Sequence, residues 1–215
     1  MAKGSRKPRS LLLAGTQFLC FGEYLLYKGG DIYSMNSVEV IEVFYKIRTD
    51  LDKLRCSAYI TKIINDVTGE NQNCYKIMQL FLNTLYVISE TDKDLDFAVS
   101  IFRLRLLSII GFKPEINKCV CSKDSVGAGI ASALSLHDDL TYFSIKDSGF
   151  KCDSCGRQDK GCIEILETTK DAIKYIILSD AKKIFSFDIP EKSRKELEIV
   201  SKLYLTEKLE KEYKI

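Results

Sequence analysis

The sequence predicts an α+β protein: a small antiparallel sheet at the N-terminus, then a mainly helical domain interrupted by a cysteine-rich segment. Three observations predict it. Runs rich in Phe, Tyr, Leu and Cys flank Lys28-Gly29-Gly30, whose glycines can take the positive φ of a tight hairpin turn. Beyond residue 42 the apolar period becomes helical. Two close cysteine pairs follow, Cys119-Val120-Cys121 and Cys152-Asp153-Ser154-Cys155, separated by a polar stretch.

Length and composition bound the rest. A chain of 215 residues that is 46% apolar can bury a sizeable core in one or two domains. Its 32 basic and 30 acidic side chains leave a net charge of +2, so any case for a nucleic-acid partner must be local rather than global. Eight cysteines behind a basic start with no apolar leader point to thiols in a reducing cytoplasm rather than to disulfides. No apolar run is long enough to cross a membrane; the most apolar helix candidate, 95–110, carries Arg103 and Arg105.

In chain order, Lys3, Arg6, Lys7 and Arg9 surround Gly4 and Pro8, a loop whose cations could meet phosphates or be a solvated basic terminus. Three strands are predicted across 11–13, 17–27 and 31–40. Their aromatics Phe18, Phe21, Tyr24, Tyr27 and Tyr33 could stack on bases, but strand aromatics more often pack, and most are expected in the core.

One helix is predicted from about residue 42 to before Gly69, with Phe44, Ile47, Leu51, Leu54 and Ala58 on its buried stripe. A second, 74–89, places Ile77, Met78, Phe81, Leu82 and Leu85 on one face. The third, 95–110, is apolar on nearly all sides and stops at Gly111-Phe112-Lys113-Pro114, so it should be the central helix. Arg103 and Arg105 on it are expected to snorkel or pair with carboxylates.

Segments 140–145 and 150–151 read as short strands around Ser148-Gly149. That puts Cys152 and Cys155 on a turn after a hairpin, as in a zinc ribbon or knuckle. Thr168 with Asp171 resembles an N-terminal cap for a helix burying Ala172, Ile173, Ile176 and Ile177. Ile189-Pro190 introduces the last helix, 191–212, with Leu197, Val200, Leu203 and Tyr204 inward and mixed charge outward.

Two cysteine pairs can clip two turns together through a tetrahedral zinc ion, and four thiolates leave no open position for chemistry. The expected ligands are Cys119, Cys121, Cys152 and Cys155. The C-x-C spacing of the first pair makes it harder for both sulfurs to reach one metal, so His137 and Cys162 are further ligand candidates. The plainer alternative is a set of thiols in a loop-rich segment.

The order of features resembles the RecO family of bacterial recombination mediators. The residues carrying the resemblance are Ala2-Lys3-Gly4-Ser5-Arg6-Lys7-Pro8-Arg9-Ser10, similar to the family's basic loop, and Glu42-Val43-Phe44-Tyr45-Lys46-Ile47-Arg48-Thr49-Asp50-Leu51, similar to its first long helix. Phe102-Arg103-Leu104-Arg105-Leu106-Leu107 leading to Gly111-Phe112-Lys113-Pro114, and Gly149-Phe150-Lys151-Cys152-Asp153-Ser154-Cys155, are similar to its motifs before and through the metal segment. The resemblance spans essentially the whole chain. It departs at the first cysteine pair, usually C-x-x-C, which makes Cys121 the least secure ligand. It departs also ahead of the basic loop, where family members carry further strands.

The resemblance implies a partial OB-type β-barrel over 1–41, its C-terminal strands only, with open edges and exposed apolar surface. A helical domain over 42–215 would follow, carrying a zinc-ribbon-like insertion at 119–162. It further implies a non-enzymatic, cytoplasmic, nucleoid-associated DNA repair protein. Such a protein binds single- and double-stranded DNA, mainly single-stranded, through Lys3, Arg6, Lys7 and Arg9, anneals complementary strands and helps load a recombinase. Its partners would be RecR and the acidic C-terminal tail of single-strand-binding protein, and its cofactor structural zinc.

The competing class is a zinc-stabilised interaction module without direct DNA binding. A thiol oxidoreductase using Cys152 and Cys155 is disfavoured because no βαβ pattern surrounds them. One histidine, no phosphate-binding glycine loop and no nucleophile motif argue against conventional enzymes.

Overall fold

A computed structural model describes Ala2, Lys7, Ser10 and residues 12–120 and 140–214. Two compact units divide the chain, Met1–Leu51 and Asp52–Ile215.

In the first unit, strands β1 (Phe21–Gly29) and β2 (Ile32–Glu42) pair antiparallel, Lys28 opposite Tyr33 and Gly29 opposite Ile32. Gly30, at φ 62°, makes the turn between them. Residues 12–13 form a turn and Ala14–Thr16 a 3-10 helix, where a strand was expected; Thr16 Oγ1 donates back to the Leu12 and Leu13 carbonyls. The described residues of this unit make a two-stranded ribbon, not a closed barrel. Neither strand contains a buried residue. The aromatics expected in the core are therefore outside it: Tyr27 is 71% exposed, Tyr33 50% and Phe18 45%. Among the described residues each strand has one partner and no second layer to hide its alternate side chains. Tyr24 is more constrained, its hydroxyl donating to the Gly15 and Cys20 carbonyls.

The predicted first helix is in fact two, α1 (Tyr45–Arg48) and α2 (Leu51–Val67), interrupted at Thr49-Asp50. Thr and Asp both compete for the backbone with their side chains and favour helix boundaries, and Thr49 Oγ1 turns back to the Lys46 carbonyl. The break resets the phase. Phe44 and Ile47 are buried, but Leu51 and Ala58 are exposed, and the buried face of α2 is Cys56, Ser57, Tyr59, Ile60 and Ile63.

The second unit is built on α4 (Leu95–Ile109), which packs against α3 (Tyr75–Glu90), α6 (Glu167–Leu178) and α7 (Glu191–Leu209). Ten of its residues are buried, as its all-round apolar pattern predicts. Asp94 caps its N-terminus, accepting from the Phe97 amide at 2.7 Å, and Gly111 at φ 106° ends it. The α3 face rotates slightly from expectation: Leu80, Leu85, Val87 and Ile88 are buried and Met78 is exposed.

Among the described residues, neither arginine of α4 pairs with a carboxylate. Buried Arg103 donates from Nε to the Tyr59 hydroxyl at 2.8 Å and lies over that ring. Arg105 donates to the Ile176 and Ile177 carbonyls at 3.1 and 2.6 Å, placing a cation at the C-terminus of α6.

Helix α6 begins after Leu166 with no side-chain cap of its own, so Thr168 is not its cap. Glu196 of α7 takes that part instead, accepting from the Leu166 amide at 2.9 Å and the Thr169 hydroxyl at 2.6 Å. Helix α7 ends at Leu209, earlier than predicted, and Leu203 faces solvent.

The second sheet has the order β4–β3–β5, from β3 (Leu140–Ser144), β4 (Gly149–Cys152) and β5 (Cys162–Glu164), both pairings antiparallel. Fully buried Phe143 meets Phe150 and Tyr204 edge to face, at 5.7 and 5.5 Å between centroids, and so fixes the sheet on α7. Tyr204 Oη donates to the Phe112 carbonyl at 3.0 Å. Tyr204→Phe is expected to cost about 1 kcal/mol through that lost bond, read as a lower urea midpoint at unchanged slope.

Candidate metal centre

Three chain segments meet at the cysteines. Beyond α4 the chain runs back alongside β4, and a parallel bridge joins Glu115 to Gly149. The Glu115 amide donates to Ser148 O, the Phe150 amide to Glu115 O and the Val120 amide to Phe150 O, all at 2.9–3.0 Å. Glycine is needed at 149 for this approach: a Cβ there would stand 2.7 Å from the Glu115 carbonyl oxygen and 2.6 Å from Val120 Cγ1. These bonds carry Cys119 to the end of β4, where Cys152 is the last strand residue. The short helix α5 (Asp153–Gln158) then turns back and presents Cys155.

The sulfurs of Cys119, Cys152 and Cys155 all lie within 4.8 Å of one another. Cys119 and Cys152 are buried and Cys155 is half-buried. The Cys119–Cys152 sulfur separation is 3.8 Å. Two sulfurs each about 2.3 Å from a tetrahedral zinc ion stand about 3.8 Å apart, so the spacing is that of two ligands on one metal and far from that of a disulfide. The Cys152 amide donates to Cys119 Sγ at 3.4 Å, and Ser154 Oγ lies 3.2 Å from Cys152 Sγ. Three soft donors in this geometry could hold a metal ion.

Cys121 and His137 lie outside the described residues. Cys162 is described, and it does not join the cluster. Its thiol donates to Asp159 Oδ2 at 3.3 Å, and burial, with that carboxylate beside it, pushes it up to about 11. Asp159 belongs to an ion cluster that the sequence reading missed. Lys151, with a nearly buried side chain, reaches Asp147 at 2.5 Å and Asp159 at 2.7 Å. Burial opposes its charge, but the two carboxylates outweigh it and hold the ammonium above the usual lysine range. The hydrogen bond from Lys151, then the Gly161 amide and the Cys162 thiol, hold Asp159 at about 2. Only the run Phe150-Lys151-Cys152 in a strand buried throughout could have signalled it, and one charge in so short a run reads as solvent-facing.

Of the basic segment, Lys7 is described and exposed; Lys3, Arg6 and Arg9 lie outside the described residues. Among the described residues no helix is long and apolar enough to cross a membrane.

A helical unit with a small three-stranded sheet, three cysteines close enough to hold a metal ion, and an exposed β-ribbon earlier in the chain define an α+β protein. Comparison with known proteins is specific. Residues 48–214 match the family described as Recombination protein O C terminal. A DNA repair protein RecO from Acetivibrio thermocellus is 42% identical over 213 residues, covering 99% of this chain and 80% of that protein. Proteins of the same name from Alkaliphilus metalliredigens and Clostridium novyi are 29% and 26% identical over 206 and 215 residues, 95% and 100% of this chain and 79% and 78% of theirs. The chain belongs to the RecO family.

Proposed function

We propose that this protein is a non-enzymatic mediator of DNA repair and homologous recombination that binds DNA, mainly single-stranded, anneals complementary strands and assists recombinase loading together with RecR. The observation that carries the reading is the match along nearly the whole chain to proteins named for DNA repair. In this reading 1–41 is the OB-type part, 42–215 the helical part, and the protein works at the nucleoid.

Lys3, Arg6, Lys7 and Arg9 contact phosphates, releasing counterions without reading bases. The ribbon adds a second feature suited to single strands. Tyr27 and Tyr33 are exposed, and Lys28 Nζ lies 5.6 Å above the Tyr33 ring, which combines a stacking face with a cation. Titration of labelled single-stranded oligonucleotides by fluorescence anisotropy tests this reading. Binding that weakens steeply with salt and tolerates any sequence is expected; no binding at low salt would favour the zinc-stabilised interaction module instead.

Zinc held by Cys119, Cys121, Cys152 and Cys155 supplies a cross-link, not chemistry. Cys119 and Cys152 would be its buried ligands, while the amide of Cys152 and the hydroxyl of Ser154 orient the sulfurs.

The acidic tail of single-strand-binding protein has a suitable seat in the helical unit. A cavity of about 350 Å³ is lined by Lys76, Arg105 and Lys113, by Leu80, Ile109 and Ile177, and by one acid, Asp180. Three cations beside apolar side chains outnumber that acid and suit a peptide that ends in carboxylates and apolar side chains. Replacing Lys76 and Lys113 together by Glu is expected to weaken a labelled tail peptide about tenfold or more, roughly 1.4 kcal/mol. An unchanged isotherm would move the tail elsewhere.

A further inference from the structure

We propose that Cys155 makes the metal clip sensitive to oxidation: peroxide acts there first, Cys152 closes a disulfide onto it, and the metal leaves. The inference rests on the zinc reading above. The three sulfurs differ in access, since Cys119 and Cys152 are 3% and 2% exposed while Cys155 reaches solvent from the first turn of α5. An oxidant therefore meets Cys155 before the other two.

The second partner is already in reach. All three sulfurs lie within 4.8 Å, and Cys152 precedes Cys155 by only three residues, so no strand has to leave the sheet for a bond to form. The step balances with hydrogen peroxide as oxidant. The Cys155 thiolate takes one oxygen to become a sulfenic acid and releases hydroxide. Cys152 thiolate then attacks that sulfur and displaces a second hydroxide as the S–S bond forms. Two thiolates are oxidised by two electrons, one peroxide is reduced, and a divalent ion loses two of its negative ligands.

Such a disulfide is local. It joins β4 to α5, which are already consecutive, and abandons Cys119, the ligand that ties the segment after α4 to them. Oxidation thus removes the cross-link while leaving the thiol count near it low. Cys162 is the internal control, because it sits outside the cluster with its thiol bonded to Asp159.

The test uses the full chain. Metal content of the purified protein is measured first, then metal release is followed with a chromogenic chelator during a hydrogen peroxide titration, with peptide mapping of the cysteines. One zinc released per chain, two thiols lost, a Cys152–Cys155 disulfide, and recovery with dithiothreitol and zinc are expected; Cys162→Ser should release zinc at the same rate. Protein that purifies without zinc, and takes up none under reducing conditions, overturns the metal reading and the switch with it. Zinc that is bound but stays through the titration overturns the switch alone, as does release with Cys119 in the disulfide or with Cys155 as sulfinic acid and no disulfide. Because the mapping is done on the unaltered protein, the result does not depend on a Cys155→Ser variant that folds.

Discussion

Cys152→Ser is expected to lose stoichiometric zinc and to lower the thermal midpoint of the helical unit by roughly 8–16 °C. Cys152 sits at the centre of the cluster, its sulfur 3.8 Å from that of Cys119 and its amide bonded to it. A ligand that binds only the folded state at a thousand times its dissociation constant contributes about 4 kcal/mol. In a domain of this size, 1 kcal/mol shifts the midpoint by about 2–4 °C. The effect should stop short of unfolding. Phe143, Phe150 and Tyr204 form their own buried contact apart from the cysteines, so the sheet keeps a hydrophobic attachment without a metal. Metal analysis beside calorimetry on both proteins checks the two halves of the prediction. A variant that retains zinc would show that the ligand set lies elsewhere, and one that loses zinc with an unchanged midpoint would make the metal incidental to stability.

Charge reversal of Lys3, Arg6, Lys7 and Arg9 to Glu is expected to weaken single-stranded DNA binding by at least about a hundredfold at low salt and to flatten its salt dependence. The slope of log K against log salt is about −0.7 per phosphate neutralised on a single strand. Four lost contacts should therefore remove about 3 from it. The slope is the more discriminating readout, since a folding defect would lower the active fraction without changing it. Anisotropy titrations across a salt series measure both. An unchanged slope would place the phosphate contacts on other cations, with Lys28 of the ribbon the first to replace.

The sequence made the second unit more legible than the first, and the reasons are physical. Helix α4 is apolar all round and bounded by Asp94 and Gly111, so its position and its central place follow from local pattern alone. Helix α2 was misread because one period was carried through Thr49-Asp50, where two boundary-forming residues restart the count. The cap of α6 was misplaced at Thr168 because the group that accepts its amide, Glu196, comes from another helix 30 residues away, and no local motif can announce it. The strand aromatics were expected inside because strands usually have a covering layer; the ribbon has none among the described residues.

At the cluster, the sequence named Cys119, Cys121, Cys152 and Cys155, and the structure brings Cys119, Cys152 and Cys155 together through backbone pairing with β4 that a one-dimensional reading does not contain. Cys162, close in sequence, is drawn away instead by Asp159. Proximity along the chain was a poor guide to proximity in space once β5 intervened.

The reliance of α6 on Glu196, and of the turn after α4 on Tyr204, has a consequence for synthesis on the ribosome. Both groups belong to α7, whose buried face is also what Phe143 rests on. Elements that emerge from the exit tunnel earlier, α4 and the three-stranded sheet among them, must wait with apolar faces uncovered until residues up to about 205 are free to dock. The helical unit should then settle in one late, cooperative step rather than helix by helix. Stalled nascent chains ending before α7 are the species most in need of a chaperone.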